Sequence, residues 1–341
     1  MDMETGRPEG DVTPQRLLQM SWAYVPPLVI ASAVRHGLFD ALAREPMTAE
    51  VLSITTETSA RGVRALADLL VGLDVLGRDE AGRYTLRPES EMFLVNGRPA
   101  YLGAYFAHLT QLVTPFLELD NPVRTGEPVR TLNEAAMGSV FFHDFVEALF
   151  PMNYPGAQVL AGALGLAQSA MPVSVLDMAA GSGVWGIALA QASPQVRVTA
   201  VDWPQVLPVA ERTVARFGLQ DRFSFVPGDV LTASLGGPHH AVILGHILHT
   251  EGEARSRALL RRLHEALVPG GTVAIAEFLV DEDRRGPVGS LIFAVNMLVN
   301  SATGTTFTMG EITEWLAEAG FVQPRLVPAP GPSPLLLATR A

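Results

Sequence analysis

The sequence predicts an α/β protein, with a doubly wound sheet in the second half of the chain behind a mainly helical N-terminal domain. Three observations carry the prediction. Met171 to Gly186 reads MPVSVLDMAAGSGVWG, an apolar strand that runs through Asp177 into a glycine-rich turn and a helix opening GIALAQA. Four further apolar runs follow, QVRVTAVD, RFSFVPGDV, HAVILGHILH and LVPGGTVAIAEFLV, and each reads as a strand. The chain closes on FVQPRLVPAPGPSPLLLATR, two apolar runs about a Pro/Gly turn, which read as a terminal hairpin.

Taken in order, the opening MDMETGRPEGDVTP is polar and acidic, lacks the basic-then-apolar form of a signal peptide, and is expected to be disordered. From Pro14 to about Ala104 the pattern is helical. Val63, Leu66, Leu70 and Leu73 recur at helical spacing behind Ser59, a candidate N-cap, and Val75 to Arg78 then pairs across Ala81-Gly82 with Arg83 to Leu86. A helix followed by a hairpin is the outline of a winged helix. The face that would meet DNA is not basic, because Arg61, Arg64, Arg78, Arg83 and Arg87 stand among Glu57, Asp68, Asp74, Asp79, Glu80, Glu89 and Glu91. Dimerisation is therefore the expected role of residues 1–104, ahead of DNA binding. Residues 105–170 read as a helical linker and lid, where FFHDFVEALFPMNYPGAQVLAGAL mixes aromatics with Met152, Asn153 and Tyr154, and residues 171–341 as the ligand-binding domain.

The glycine turn points to an adenosine-type ligand. Glycines let a backbone come close to a bound molecule, and a helix N-terminus presents unpaired N–H groups to it. Asp202, at the end of the next strand and about 20 residues on, is placed to accept from both hydroxyls of a ribose. Asp229, after the third strand, suits the amino edge of adenine. Gly181, Gly183 and Gly186 also satisfy the dinucleotide fingerprint, so the turn by itself leaves a nicotinamide dehydrogenase open; the terminal hairpin fits a seven-stranded methyltransferase sheet better.

The net charge of −11 disfavours nucleic acid and anionic membranes, whose phosphates need clustered Lys and Arg, and favours an uncharged or weakly acidic small molecule. There is no cysteine, hence neither a disulfide framework nor a thiolate metal site. WAYVPPLVIASAV and LIFAVNMLV read as too short or too broken by proline to span a bilayer, and a cytoplasmic protein is expected.

From about Leu17 to its end, this series of motifs resembles the small-molecule O-methyltransferases that use S-adenosylmethionine (SAM). Plant members act on caffeate and flavonoids, bacterial members on polyketide and other natural-product phenols. The resemblance implies a homodimer that pairs through the N-terminal domain, and a SAM site. In that site Asp177, Ala179, Gly181 and Gly183 form the turn, the last two near the amino-acid tail. Asp202 holds the ribose, Trp203 lies on the adenine face, Asp229 and Val230 hold the base, Gly245 lies beside the ring, and Tyr154 adds a contact from the lid. Phe150, Met152 and Asn153 cover the acceptor, while His246, Asn296, Met297, Asn300 and Thr306 line its pocket.

In LGHILHTEGEARSRALLRRLHEALVPGGTVAIAE, His249 occupies the position of the family's catalytic histidine, at the end of the fourth strand, and Glu277 that of its supporting glutamate. A phenol has a pKa near ~10, and a base of near-neutral pKa removes its proton where water does so poorly. The chain departs from the family at Thr250, Glu251 and Gly252 and at Thr306, which replaces a second glutamate. That loss keeps open C- or N-methyl transfer and a relative that binds SAM without transferring its methyl. His246 and His249 have the spacing of metal ligands on a helix, but a third ligand is missing, so no metal is expected. The remaining histidines at 36, 108, 143, 239, 240 and 264 read as structural or solvated.

Overall fold

The computed structural model describes residues 12–341, so the expected disorder of the N-terminus falls almost wholly outside the described residues. The chain forms two compact units that meet between Thr110 and Gln111. Of the helical stretch 105–170, residues 111–170 fall in the second unit.

In the first unit, the Ser59 hydroxyl accepts from Gly62 N–H at 3.1 Å and starts helix Ala60–Gly72. Val63, Ala67 and Leu70 are its buried residues, whereas Leu73 is the exposed C-cap, one position past the core-facing stripe. Strands β1 (Leu76–Arg78) and β2 (Tyr84–Leu86) pair antiparallel with Leu76 opposite Leu86, within one residue of the expected hairpin. Arg64, Arg78, Arg83 and Arg87 carry Glu50, Asp68, Asp79 and Asp74 as ion-pair partners.

Helices Gln15–Met20 and Val25–Arg35 open the described chain, with Pro26 and Pro27 in the first turn of the second, where a missing N–H breaks no helical bond. The prolines therefore do not interrupt this stretch as expected. By length and composition alone, Gln15–Arg35 is long and apolar enough to cross a membrane. Its Leu17, Leu18, Met20, Trp22 and Tyr24 are each more than half exposed.

The second unit is built on seven strands. The parallel ones are β3 (Val173–Met178), β4 (Val196–Asp202), β5 (Phe223–Pro227), β6 (His239–Gly245) and β7 (Leu267–Ala276). A short parallel pair, β8 (Leu279–Val280) and β9 (Phe307–Thr308), lies outside the sheet. The closing hairpin, β10 (Phe321–Val327) and β11 (Leu335–Arg340), joins it antiparallel through β7. Strand order is β10-β11-β7-β6-β3-β4-β5.

Both faces are covered, as the alternation of side chains shows. Along β6, Ala241 and Ile243 enter one core with Ile187 and Leu189, while Val242 and Leu244 enter the other with Leu259, Leu260 and Leu263. The chain runs outward through β3, β4 and β5 and then returns to β6 on the other side of β3. The topological switch point therefore lies at the carboxyl ends of β3 and β6, where open α/β sheets bind ligands.

Candidate active site

Every strand of the parallel set delivers a predicted site residue at that end. After β3, the turn takes left-handed backbone at Ala179 (φ 52°), Gly181 (57°) and Gly183 (75°) before helix Val184–Ala192 begins. After β4, Asp202 accepts from Gly181 N–H through Oδ2 and from Trp203 N–H through Oδ1, both at 2.7 Å. Each oxygen keeps a lone pair for a ribose hydroxyl. Burial pushes the Asp202 carboxyl up to about 6, against those two backbone bonds. Trp203 packs on Phe142 at a ring separation of 6.3 Å.

Asp177 lies beneath the turn rather than in it. It is fully buried, its Oδ2 accepts from Gly186 N–H at 2.9 Å, and its Oδ1 has no partner. That bond ties the helix to β3. Burial raises its pKa to about 7, with nearby Asp202 adding to the rise. A carboxyl whose folded pKa is raised contributes stability that is full below its unfolded value of 3.8 and lost as pH rises through about 7. Asp177→Asn keeps an acceptor for Gly186 N–H and cannot ionise. The difference in thermal midpoint, variant minus wild type, is expected to grow in the variant's favour from pH 5 to pH 8 in ligand-free protein; a constant difference would contradict this.

β5 ends at Pro227, and Asp229 follows it by two residues. Its Oδ1 accepts from Leu231 N–H and its Oδ2 from Arg255, both at 2.8 Å, so this carboxylate is held in a fixed position. Val230 is buried, with its carbonyl accepting from Arg262 at 2.6 Å. Gly245 ends β6 against Trp185, whose indole leaves no room for a side chain there.

The strand does not run on to His249 as expected. His246 has a φ of +61°, which no strand accommodates, and His249 falls instead in the first turn of helix Leu248–Ala266, which is interrupted at Gly252. The result still brings His249 to Glu277, the residue after β7. The Nδ1–H of His249 donates to Glu277 Oε1 at 2.6 Å, and its backbone N–H donates to Oε2 at 3.1 Å. Phe278 N–H makes a third bond, to Oε1, at 2.8 Å. Burial alone would raise the Glu277 pKa, but the charge and hydrogen bond of His249 more than offset it, so the group stays below the ordinary carboxylate range. An ionised carboxylate only accepts, so Nδ1 carries the proton and Nε2 is left as the basic atom.

Phe278 and Phe293 stack at 4.0 Å and wall this imidazole, with Phe293 edge-on to His249 at 4.8 Å. His246 also packs against Phe278, at 5.1 Å, and is bonded to Ser333 at 2.7 Å; burial lowers its pKa to about 4, so it is neutral. Trp185, Phe278, Phe293 and Ser333 were not singled out from sequence. The last comes from the β10–β11 turn, which also packs on helix Phe150–Ala163 near Met152 and Gly156.

Four of the predicted site residues are packed or spent within the chain, or have no partner. Phe150 and Tyr154 stack with Phe217, and the Tyr154 hydroxyl donates to Gln191 at 2.6 Å, some seven residues or about 10 Å along the helix from the glycine turn. Both rings are engaged in packing within the chain; Met152 and Asn153, of the same group, are half-buried. Asn300 is buried and spent internally, accepting from Arg130 and donating to Asn296. Thr306 is fully buried and its hydroxyl has no partner, so it does not replace the charge of a glutamate. Met297 is buried and Asn296 half-buried on the same helix. Among the described residues, no group of three or more His, Asp or Glu is arranged to hold a metal.

A doubly wound sheet with a glycine turn, a ribose-type aspartate and a histidine–glutamate pair at its switch point defines an enzyme built around an adenosyl cofactor. Comparison with known proteins narrows the class. Residues 155–322 match the model of the O-methyltransferase domain, and residues 18–96 that of the O-methyltransferase dimerisation domain. The tetracenomycin polyketide synthesis 8-O-methyl transferase TcmO of Streptomyces glaucescens is 31% identical over 334 residues, covering 96% of this chain and 97% of that enzyme. The 3-hydroxy-5-methyl-1-naphthoate 3-O-methyltransferase of Streptomyces sahachiroi is also 31% identical, covering 99% and 98%. The fold matches that of human N-acetylserotonin methyltransferase in complex with SAM with a TM-score of 0.85 at 23% identity, over 98% of this chain and 100% of that one. The chain belongs to the SAM-dependent O-methyltransferase family, with the family's dimerisation domain at its N-terminus.

Proposed function

We propose that this enzyme methylates an aromatic hydroxyl of a small, polyketide-like intermediate, with His249 as general base and Glu277 orienting it. The observation that carries the reading is the 2.6 Å bond from His249 Nδ1–H to a buried, ionised Glu277, which leaves Nε2 free to take a phenolic proton. SAM, held by the turn at Gly181 and Gly183 and by Asp202, supplies an electrophilic methyl group. The chain's own residues do the rest: His249 removes the proton, Glu277 stabilises the imidazolium, and the Phe278–Phe293 pair excludes water and offers a flat apolar wall to an aromatic ring. The two Streptomyces relatives, named for polyketide and naphthoate hydroxyls, support this acceptor class.

The reading carries with it a cytoplasmic homodimer that takes neither nucleic acid nor membrane as partner. The dimerisation domain and the exposed apolar residues between Leu17 and Tyr24 support the dimer, and the ion-paired arginines of the N-terminal hairpin count against nucleic acid. Methyl transfer to carbon or nitrogen is the alternative left by Thr306.

The pH–rate profile of Glu277→Gln tests the pair. Losing the carboxylate withdraws stabilisation from the imidazolium, so the limb that reports deprotonation of the base is expected to move to lower pH. The plateau should fall about 10- to 100-fold, the scale of one hydrogen bond to a charged group. A profile unmoved on the pH axis would remove Glu277 from this role.

A further inference from the structure

We propose that Arg130 recognises an anionic group on the acceptor, so that the molecule methylated here carries a carboxylate at the end opposite its reacting hydroxyl. The inference rests on the acceptor reading above and extends it to a substrate class. Arg130 is half-buried, and its guanidinium lies over the Phe141 ring at 5.3 Å. Nε–H and an Nη2–H donate to Asn300 Oδ1 at 2.9 and 2.6 Å, and Nη1 donates to the Gln111 carbonyl at 3.2 Å. Among the described residues no carboxylate pairs with it; its partners are the amide oxygen of Asn300 and the Gln111 carbonyl. Arginine has five N–H donors; three are used, which leaves one on each terminal nitrogen.

Its location ties it to the acceptor. Helix Val288–Asn300 presents Phe293 to His249 and carries Asn296 and Asn300 at the i+3 and i+7 positions of that same face. Arg130 grips the end of that face, about 10 Å along the helix from the residue that packs on the base. Ser301, next in the chain, donates to Thr250 O at 3.0 Å, beside His249, so the two ends are rigidly linked. Phe141 also packs on Phe142, which packs on Trp203, so a run of aromatic rings links this cation to the residue that follows Asp202. Burial lowers the pKa of Arg130, a cost that an anion in contact with it would offset. With a net charge of −11 the protein repels anions at long range, so binding one requires such a local cation.

The test uses the full-length protein saturated with S-adenosylhomocysteine and two probes, 6-hydroxy-2-naphthoate and 2-naphthol, titrated by calorimetry. Wild type is expected to prefer the naphthoate by about tenfold or more. Arg130→Gln, which keeps a donor for Asn300 but no charge, should lose the preference while binding 2-naphthol as wild type does, and Arg130→Lys should keep part of it. Affinity for S-adenosylhomocysteine reports whether each variant is folded; should Arg130→Gln lose it, the decision passes to Arg130→Lys, where a preference equal to wild type's would overturn the guanidinium assignment. No preference in wild type, a preference that survives in Arg130→Gln, or no binding of either probe would also overturn the proposal. An Arg130-dependent preference without methyl transfer supports the anion site and counts only against the general-base reading.

Discussion

Replacing His249 with alanine is expected to slow methyl transfer by about 10²- to 10⁴-fold, the range for loss of a general base, while affinity for SAM stays nearly unchanged. The asymmetry follows from the geometry. The side chain of His249 bonds to Glu277 and packs on Phe278 and Phe293, none of which belongs to the turn of residues 179–183 or to Asp202. The fold should survive, because Glu277 keeps the backbone N–H groups of residues 249 and 278 as partners. Single-turnover rates measured at saturating SAM isolate the chemical step from binding and release. Added imidazole, taking the space left by the ring, is expected to restore part of the rate. Unchanged turnover in the variant would end the base assignment, and loss of SAM affinity in parallel would reduce His249 to a structural residue.

The parts of this site that were legible in the sequence are those encoded within a few residues of one another. A left-handed backbone at Gly181 and Gly183, an aspartate closing a strand, and the Ser59 cap each leave a local signature, because turn chemistry and strand ends use specific residue types. The adjacency of His249 and Glu277 was legible through register, since β6 and β7 are parallel neighbours and their carboxyl ends necessarily meet. What stayed hidden depends on contacts between distant segments. Arg130 reaches Asn300 across 170 positions, and nothing in either local pattern marks them as partners. Tyr154 reads as a lid residue because aromatics near a lid and aromatics in a core look alike in sequence, and its stack with Phe217 is a contact that no local pattern marks. His246 defeated the strand reading because HAVILGHILH is apolar enough to continue, and a positive φ at a histidine leaves no compositional trace. Asn300 and Thr306 show the same limit for buried polar groups, whose partners, or lack of them, are set by the tertiary fold.

Asp202→Ala is expected to weaken SAM binding by about 2 to 3 kcal/mol, the loss of charge-assisted hydrogen bonds, or about 30- to 140-fold in affinity. Two effects contribute. The carboxylate is the acceptor for the ribose in this reading, and it also holds the turn through Gly181 N–H and Trp203 N–H at 2.7 Å. A chemical comparison separates them: S-adenosylhomocysteine against its 2′-deoxy analogue, each bound to wild type and variant. If Asp202 accepts from the ribose, removing the hydroxyl weakens binding to wild type and has little effect on the alanine variant, whereas a pure turn defect leaves the same penalty in both. The pH dependence has a definite sign. The carboxyl of the ligand-free protein is raised to about 6, and the ribose favours its ionised form, so affinity should be level above about 7 and fall as pH drops through about 6. Calorimetric titrations from pH 5 to 8 measure this directly; an affinity that does not fall at low pH, together with equal deoxy penalties in the two proteins, would move the ribose contact away from Asp202.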